Sequence, residues 1–113
     1  MALVDLAWHC YMDLASAAFY AGRTDQAIHM LEKAARTVAH LAAPNRRLAD
    51  TLNRMGVLYT HQRRYLRAEQ CLRRAVEIFE SLPRLDPSRL AIARFNLAGV
   101  LETLGRSSEA GEQ

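Results

Sequence analysis

Three short segments of similar sequence recur along this chain at nearly constant spacing. They are Gly22–Ala27, Arg63–Ala68 and Gly105–Ala110, and each of them ends in an alanine. The first two of these alanines lie 41 residues apart (68 − 27), and the second and third lie 42 apart (110 − 68). Such a period is typical of stacked repeat proteins, in which each unit buries its apolar face only against its neighbours. The spacing therefore predicts a solenoid with an extended binding surface, and it does not identify the ligand.

The composition favours helices in a single soluble domain. Half of the 113 residues are hydrophobic and only three are proline. Ala, Leu, Arg and Glu are abundant while β-branched residues are scarce, which favours helix almost everywhere. The first residues include no basic segment followed by an uninterrupted apolar run, so we expect neither a signal peptide nor a membrane partner. We therefore expect one cytoplasmic domain over residues 1–113, with both cysteines reduced.

Hydrophobic periodicity predicts about five helices, and local signals mark their ends. The predicted segments are 2–21, a helix from Thr24 onward, 46–62, 65–81, and a helix that starts at Asp86-Pro87. Thr24 is expected to cap the second helix. Gly22 is expected to end the first helix and Gly105 the fifth, because left-handed backbone costs glycine little. The residues of the fifth helix predicted to share an apolar face are Leu90, Leu97, Leu101 and Leu104.

Small residues recur at matching positions of the period. Two sets are spaced by one repeat: Ala15, Gly56 and Ala98, and Ala27, Ala68 and Ala110. Helix axes approach to about 8–10 Å only where the contact residues leave room. These positions are therefore predicted to lie where paired helices cross.

The pattern resembles the tetratricopeptide repeat over essentially the whole chain. The second unit fits best, through Leu52, Met55-Gly56, Tyr59, Ala68, Leu72 and Ala75. The first unit fits through Tyr11, Leu14-Ala15, Ala18, Ala27, Leu31 and Ala34, and the third through Leu97-Ala98, Leu101 and Ala110. Because the period exceeds the usual length of about 34 residues, it is similar to the longer repeats of kinesin light chain. The resemblance implies an all-α, antiparallel helix-pair, right-handed solenoid with units at about 5–43, 45–83 and 87–113.

The resemblance also implies a protein–protein interaction module that binds a peptide or a partner helix in a concave groove. The first helix of each pair lines that groove in the family. The expected groove residues are Met12, Ser16, Asn53, Arg54, Val57, Thr60, Ile92, Phe95, Asn96 and Gly99. Further residues expected on the same surface are His9, Asp13, Phe19, Asp50, His61 and Glu102.

Several of these groove residues have two possible roles. Asn53 and Asn96 each offer a donor and an acceptor to a peptide backbone, or else are solvated surface residues. Phe95 either receives an apolar side chain of the ligand or packs against its own solenoid. Co-chaperone members of the family clamp a C-terminal carboxylate with a lysine and an asparagine. Met12 and Ser16 stand at those positions here, which argues against that ligand.

Other function classes find less support in the residues. The sequence contains no nucleophile–base set, glycine-rich phosphate loop or metal-ligand spacing, so we expect no enzyme, cofactor or metal. Eight arginines lie between residues 46 and 74, against only Asp50 and Glu69. They are read as solvated faces, or more weakly as a nucleic-acid-binding surface, since no regular base-reading residue accompanies them. A sensory or regulatory segment of a bacterial transcription regulator or signalling ATPase is a further alternative.

The first helix is unusually apolar for the end of a solenoid. Its polar residues Asp5, His9, Asp13 and Ser16 form one narrow stripe, whereas a terminal helix facing water should be polar on its outer side. This predicts either a piece of a longer array or a homo-oligomer formed through apolar end helices. Trp8 is expected in a buried seam, with ligand stacking as the alternative.

Overall fold

The computed structural model describes residues 2–42, 45–84 and 86–109 and contains five α-helices in that part of the chain. The helices are α1 (Leu3–Tyr20), α2 (Thr24–Val38), α3 (Arg46–His61), α4 (Tyr65–Ser81) and α5 (Pro87–Glu109). The described residues include no β-strand. Ala110, the last of the repeated alanines, lies outside the described residues. The predicted all-α class and helix number are confirmed.

The helices pack in chain order and form two layers. Each helix contacts the next one along the chain, and α3 also contacts α5. Helices α1, α3 and α5 therefore form one layer, and α2 and α4 form the other. The molecule is elongated, with extents of 51 × 35 × 22 Å. This arrangement is a helical-repeat solenoid, in which each unit packs on its neighbours.

The two hairpin turns within the solenoid share one hydrogen-bonding motif. After α1, Gly22 adopts φ +79°. The N–H of Gly22 donates to the Phe19 carbonyl at 2.9 Å, and that of Arg23 to the Ala18 carbonyl at 2.8 Å. This pair of bonds satisfies the last carbonyls of α1. The same pair recurs after α3, where Arg63 takes the glycine's place with φ +60°. The predicted role of Gly22 at the end of α1 is confirmed.

Small residues occupy the crossings within the first two helix pairs. Ala27 and Ala68 are fully buried, and Ala15 is 3% exposed. A methyl group added at Gly56 would lie 2.6 Å from Cδ2 of Leu72 and closer still to its Cγ. Ala98 is exposed, because no helix among the described residues packs on that side of α5.

Trp8 joins the first hairpin to the second from within the core. Its indole Nε1–H donates to the Thr51 hydroxyl at 2.8 Å, and the ring is 8% exposed. Thr51 is fully buried and donates in turn to the carbonyl of Arg47 at 2.8 Å. The expectation that Trp8 lies in a buried seam is confirmed.

Two predictions about helix ends are wrong. Thr24 is the first residue of α2 and not its cap; Arg23 holds the cap position, and its carbonyl accepts the first helical bond at 3.0 Å. Gly105 does not end α5, which continues to Glu109. A glycine inside a helix costs only about 1 kcal/mol relative to alanine. The Arg106–Glu102 ion pair at 3.1 Å spans Gly105 and offsets part of that cost.

The predicted apolar face of α5 is wrong in one position. Leu101 is 40% exposed, whereas Leu90, Ala93 and Val100 are buried. The residues that α5 turns toward the rest of the solenoid are spaced by three and four, and Leu101 falls beside that row. The helix therefore buries Ala93 and Val100 on this face, whereas the sequence pattern had placed Leu101 there.

Candidate functional site

Two neighbouring clefts open on the layer formed by α1, α3 and α5. The polar cleft has a volume of about 340 Å³ and lies where the three helices meet. The apolar cleft has a volume of about 280 Å³ and lies between α3 and α5. Apart from Phe79 of α4, every residue that lines them belongs to α1, α3 or α5, so the repeat register largely decides which side chains line them.

The polar cleft presents both charges. Arg89 donates to Asp50 at 2.7 Å and to Asp86 at 3.1 Å, so its guanidinium is neutralised within the fold. Arg54 donates to the Ser16 hydroxyl at 3.1 Å, which links α3 to α1. Among the described residues, Arg54 and Asp13 take part in no ion pair. The cleft therefore offers one guanidinium and one carboxylate to a ligand.

The apolar cleft has an open floor and an exposed aromatic wall. Phe95 is 78% exposed, so the alternative that it packs against its own solenoid is wrong. A methyl group added at Gly99 would meet no atom within 4 Å, which shows that the space above this glycine is free. Val57 and Val100 complete the apolar lining.

Asn53 and Asn96 form the boundary between the two clefts. Asn53 lines the polar cleft and Asn96 the apolar cleft. The Nδ2 group of Asn96 donates to Oδ1 of Asn53 at 3.1 Å, and both residues are half-buried. The alternative that they are simply solvated is therefore wrong. This bond leaves Nδ2 of Asn53 as a donor and Oδ1 of Asn96 as an acceptor.

The structure brings all ten residues of the expected groove to one of these two clefts. Those in the polar cleft are Met12, Ser16, Asn53, Arg54 and Ile92. Those in the apolar cleft are Val57, Thr60, Phe95, Asn96 and Gly99. Met12 is only 6% exposed and forms part of the floor.

The additional residues expected on this surface divide into three groups. His9, Asp13 and Asp50 line the polar cleft and His61 lines the apolar one. Phe19 instead lines a smaller pocket of about 140 Å³ between α1 and α3. Glu102 lines neither cleft, because it points along α5 toward Arg106 and is paired with it.

The expected groove omitted three residues that line the polar cleft, Trp8, Phe79 and Arg89, and it omitted Val100 of the apolar cleft. Arg89 could have been found, because it precedes Ile92 by three residues and so shares its helix face. Phe79 belongs to α4 and is 2% exposed. It reaches the cleft from the core, so no surface pattern could have indicated it.

Among the described residues outside the two clefts, the Cys71 thiol has a shifted pKa. Burial raises the pKa of the Cys71 thiol above its usual value, although the nearby Arg67 and Arg74 oppose the shift. Within the described ranges, no three His, Cys, Asp or Glu side chains lie close enough to hold a metal ion. None of the described helices is long and apolar enough to cross a membrane. The clefts are suited to non-covalent contacts.

Comparison with known proteins identifies the family. The family described as "Tetratricopeptide repeat" matches residues 47–112, which is more than half of the chain. No curated protein matches the sequence significantly. Repeats of this family are generally non-catalytic and mediate protein–protein interaction. The two-layer order of the helices and the match over residues 47–112 agree, and the chain belongs to the tetratricopeptide repeat family.

Proposed function

We propose that this chain is a non-catalytic module that binds an extended peptide or a partner helix along the polar and apolar clefts. The observation that supports this function is that the two clefts adjoin at the Asn53–Asn96 pair, of which one residue lines each cleft. A ligand that crosses the pair contacts three helices from successive hairpins. Such a surface follows from stacking, since each unit adds its first helix to the same layer.

The amide pair would hold the ligand backbone irrespective of its side chains. A peptide carbonyl accepts from Nδ2 of Asn53, and a peptide N–H donates to Oδ1 of Asn96. On one side of the pair, an apolar side chain of the ligand contacts Val57 and Phe95. On the other side, a carboxylate of the ligand pairs with Arg54. The preferred ligand is therefore a segment with an acidic and an apolar residue on either side of the bound peptide unit.

Gly99 provides the sharpest test of this function. A leucine at Gly99 would project into the apolar cleft, and no atom lies within 4 Å of its Cβ. Gly105 has the same free surroundings and the same helix but lies outside both clefts. Gly105→Leu is therefore a matched control, and both substitutions should leave the helix at least as stable.

The experiment selects peptides from a random display library against the wild-type chain and measures their affinity by titration calorimetry. We expect Gly99→Leu to weaken the selected peptides more than tenfold and Gly105→Leu to leave them unchanged. Asn53→Ala should weaken them about three- to tenfold, the value of one hydrogen bond. Peptides that bind Gly99→Leu and Asn53→Ala as tightly as the wild type would refute the assignment of the clefts.

We further propose that the units are of the long-period kind seen in kinesin light chain, at about 5–43, 45–83 and 87–113. The starts of α1, α3 and α5 are 43 and 41 residues apart, which supports this division. A cytoplasmic location is also proposed. It is supported by Cys10, an exposed free thiol, because exposed thiols persist in reducing compartments.

A further inference from the structure

One side of α1 exposes an uninterrupted apolar stripe. Its members are spaced by three or four residues, so they share one helix face. We call this face the outer stripe; it consists of Leu3, Leu6, Cys10, Leu14 and Ala17, all of them exposed. Leu3 is 83% exposed, and Leu6 and Leu14 are each 52% exposed. The outer stripe contains no charged residue.

Two of these register positions, those of Cys10 and Ala17, are buried in both other helices of this layer, whereas the position of Leu6 is taken by Arg47 and Arg89, which are not buried. Shifted by one and two repeats, Cys10 corresponds to Thr51 and Ala93, which are both fully buried. Ala17 corresponds in the same way to Leu58 and Val100, at 7% and 2% exposure. In α3 this face packs on the preceding hairpin, as the bond between Thr51 and Trp8 shows. The part of the outer stripe from Cys10 to Ala17 is therefore a surface of a kind that the solenoid elsewhere covers with another helix.

The outer stripe is symmetric about its central residue. Leu6 and Leu14 each lie four residues from Cys10, and Leu3 and Ala17 each lie seven residues from it. If two copies of α1 pack antiparallel about a two-fold axis at Cys10, Leu6 faces Leu14 of the second copy and Leu3 faces Ala17. Such a self-complementary patch is what an isologous interface requires. We propose that the outer stripe of α1 binds the outer stripe of a second copy of this chain in this antiparallel arrangement.

The other end of the solenoid is less suited to this role. The exposed side of α5 includes Arg94 and Glu102, which are held in ion pairs with Glu80 and Arg106. Burying those charged groups would cost more free energy than the new contacts would provide, since the groups would lose their hydration. On α1, by contrast, His9 and Asp13 lie at the rim. In the antiparallel pair, Asp13 of one copy lies beside His9 of the other, so the rim contact is polar and complementary.

The size of the contact sets its expected strength. Helix α1 has 18 residues, and is therefore about 27 Å long. One pair of such helices buries less than the roughly 1,200–2,000 Å² of a standard stable interface. We therefore expect a reversible dimer that dissociates on dilution. The residues of the outer stripe line neither cleft, and the rim residues His9 and Asp13 line only the polar one. Gly99→Leu, which acts in the apolar cleft, therefore distinguishes failure of the proposed peptide binding from failure of this dimer.

Sedimentation velocity tests the arrangement by a charge exchange, in which two facing leucines are replaced by residues of opposite charge. The wild-type chain should be dimeric at about 100 µM, where weak interfaces of this size are populated. Leu6→Lys and Leu14→Glu should each make it monomeric, whereas the double substitution should restore the dimer, because the new opposite charges then face each other twice. Leu66→Lys, at an exposed leucine of α4, is the control and should remain dimeric. Circular dichroism checks that every variant keeps its helices.

Disulfide formation at Cys10 supplies a second readout. Helices packed about 8–10 Å apart bring facing Cα atoms to within the roughly 4.4–6.8 Å that a disulfide spans. In a Cys71→Ser background, mild oxidation should produce a covalent dimer that Cys10→Ser abolishes. A wild-type chain that stays monomeric would mean that some other helix covers the outer stripe, and would overturn the proposal. A dimer that the charge exchange fails to restore, or that never cross-links through Cys10, would overturn it as well.

Discussion

Gly56 lies where α3 crosses α4. Its replacement by alanine has two opposite effects on the free energy of unfolding, and they are of similar size. In an open helix, alanine is more stable than glycine by about 0.5–1 kcal/mol. At this crossing, however, the new methyl group would lie 2.6 Å from Cδ2 of Leu72 and closer still to Cγ. Leu72 is fully buried, so it can move only against other packed side chains. Overpacking of this kind costs about 1–3 kcal/mol.

The destabilisation by overpacking should exceed the stabilisation from the higher helix propensity of alanine. We expect Gly56→Ala to lower the free energy of unfolding by about 1–2 kcal/mol, the difference of those two terms. For a domain of this size, that loss lowers the melting temperature by about 5–10 °C. The controls are Gly99→Ala and Gly105→Ala, where an added Cβ meets no atom within 4 Å. Both should raise the free energy of unfolding by about 0.5–1 kcal/mol. The same glycine-to-alanine change is therefore expected to stabilise the protein at these two positions and to destabilise it at Gly56.

Urea denaturation followed by circular dichroism measures all three variants, and a double-mutant cycle identifies the cause. Leu72→Ala alone should cost about 2–5 kcal/mol. In the Gly56→Ala background its cost should fall by about 1–3 kcal/mol, because the clash has been removed. If Gly56→Ala were as stabilising as its two controls, or if the cycle showed no coupling, the close crossing of α3 and α4 would be refuted.

Four further substitutions test the turns, the inter-hairpin seam and a helix cap, each by urea denaturation. Arg63→Gly should stabilise the protein by about 0.5–1 kcal/mol, since left-handed backbone costs a residue with a Cβ about 1–2 kcal/mol. For the same reason, Gly22→Ala should destabilise it by about 1 kcal/mol. Equal effects of the two substitutions on stability would contradict the argument. Thr51→Val should cost about 1–3 kcal/mol, because it leaves the buried Trp8 Nε1–H without an acceptor; the fluorescence of this single tryptophan reports the change, and an unaltered stability would mean that the bond contributes nothing. Asn45→Ala should cost about 0.5–2 kcal/mol, because the Asn45 side chain accepts from the third residue of α3 at 3.1 Å; a loss below a few tenths would rule out this cap.

The positions of the helices could be predicted because each hairpin repeats the same binary pattern. Five helices were expected, and the four bounds given for α3 and α4 differ from the structure by at most one residue. The errors at Thr24 and Gly105 concern single-residue signals worth about 1 kcal/mol or less. Contacts that span several residues offset such signals in part, as the Arg106–Glu102 pair does across Gly105.

The lining of the clefts could also be predicted, because the register alone decides which face of each inner helix is presented. The links between the helices could not. The bond from Asn96 to Asn53 joins residues 43 positions apart, and the pair of Arg89 with Asp50 joins residues 39 apart. Since these separations differ from one another and from the period, they depend on how far each helix slides along its neighbour. Sequence periodicity contains no such information.

The two clefts differ in how closely ligand contacts are coupled to stability. Phe95 and Gly99 line the apolar cleft yet are exposed, and no packed neighbour depends on either of them. Met12 lines the polar cleft while 6% exposed, and its sulfur lies 3.7 Å from the Thr51 hydroxyl in the seam between hairpins. Substitution of Phe95 can therefore alter ligand preference with little change in unfolding free energy. Substitution of Met12 must alter both, because truncating a buried methionine costs about 2–5 kcal/mol. If the proposed function holds, ligand preference can therefore change most readily through Phe95 and Gly99, because other surface residues of α5, such as Arg89 and Asn96, also bond to α3.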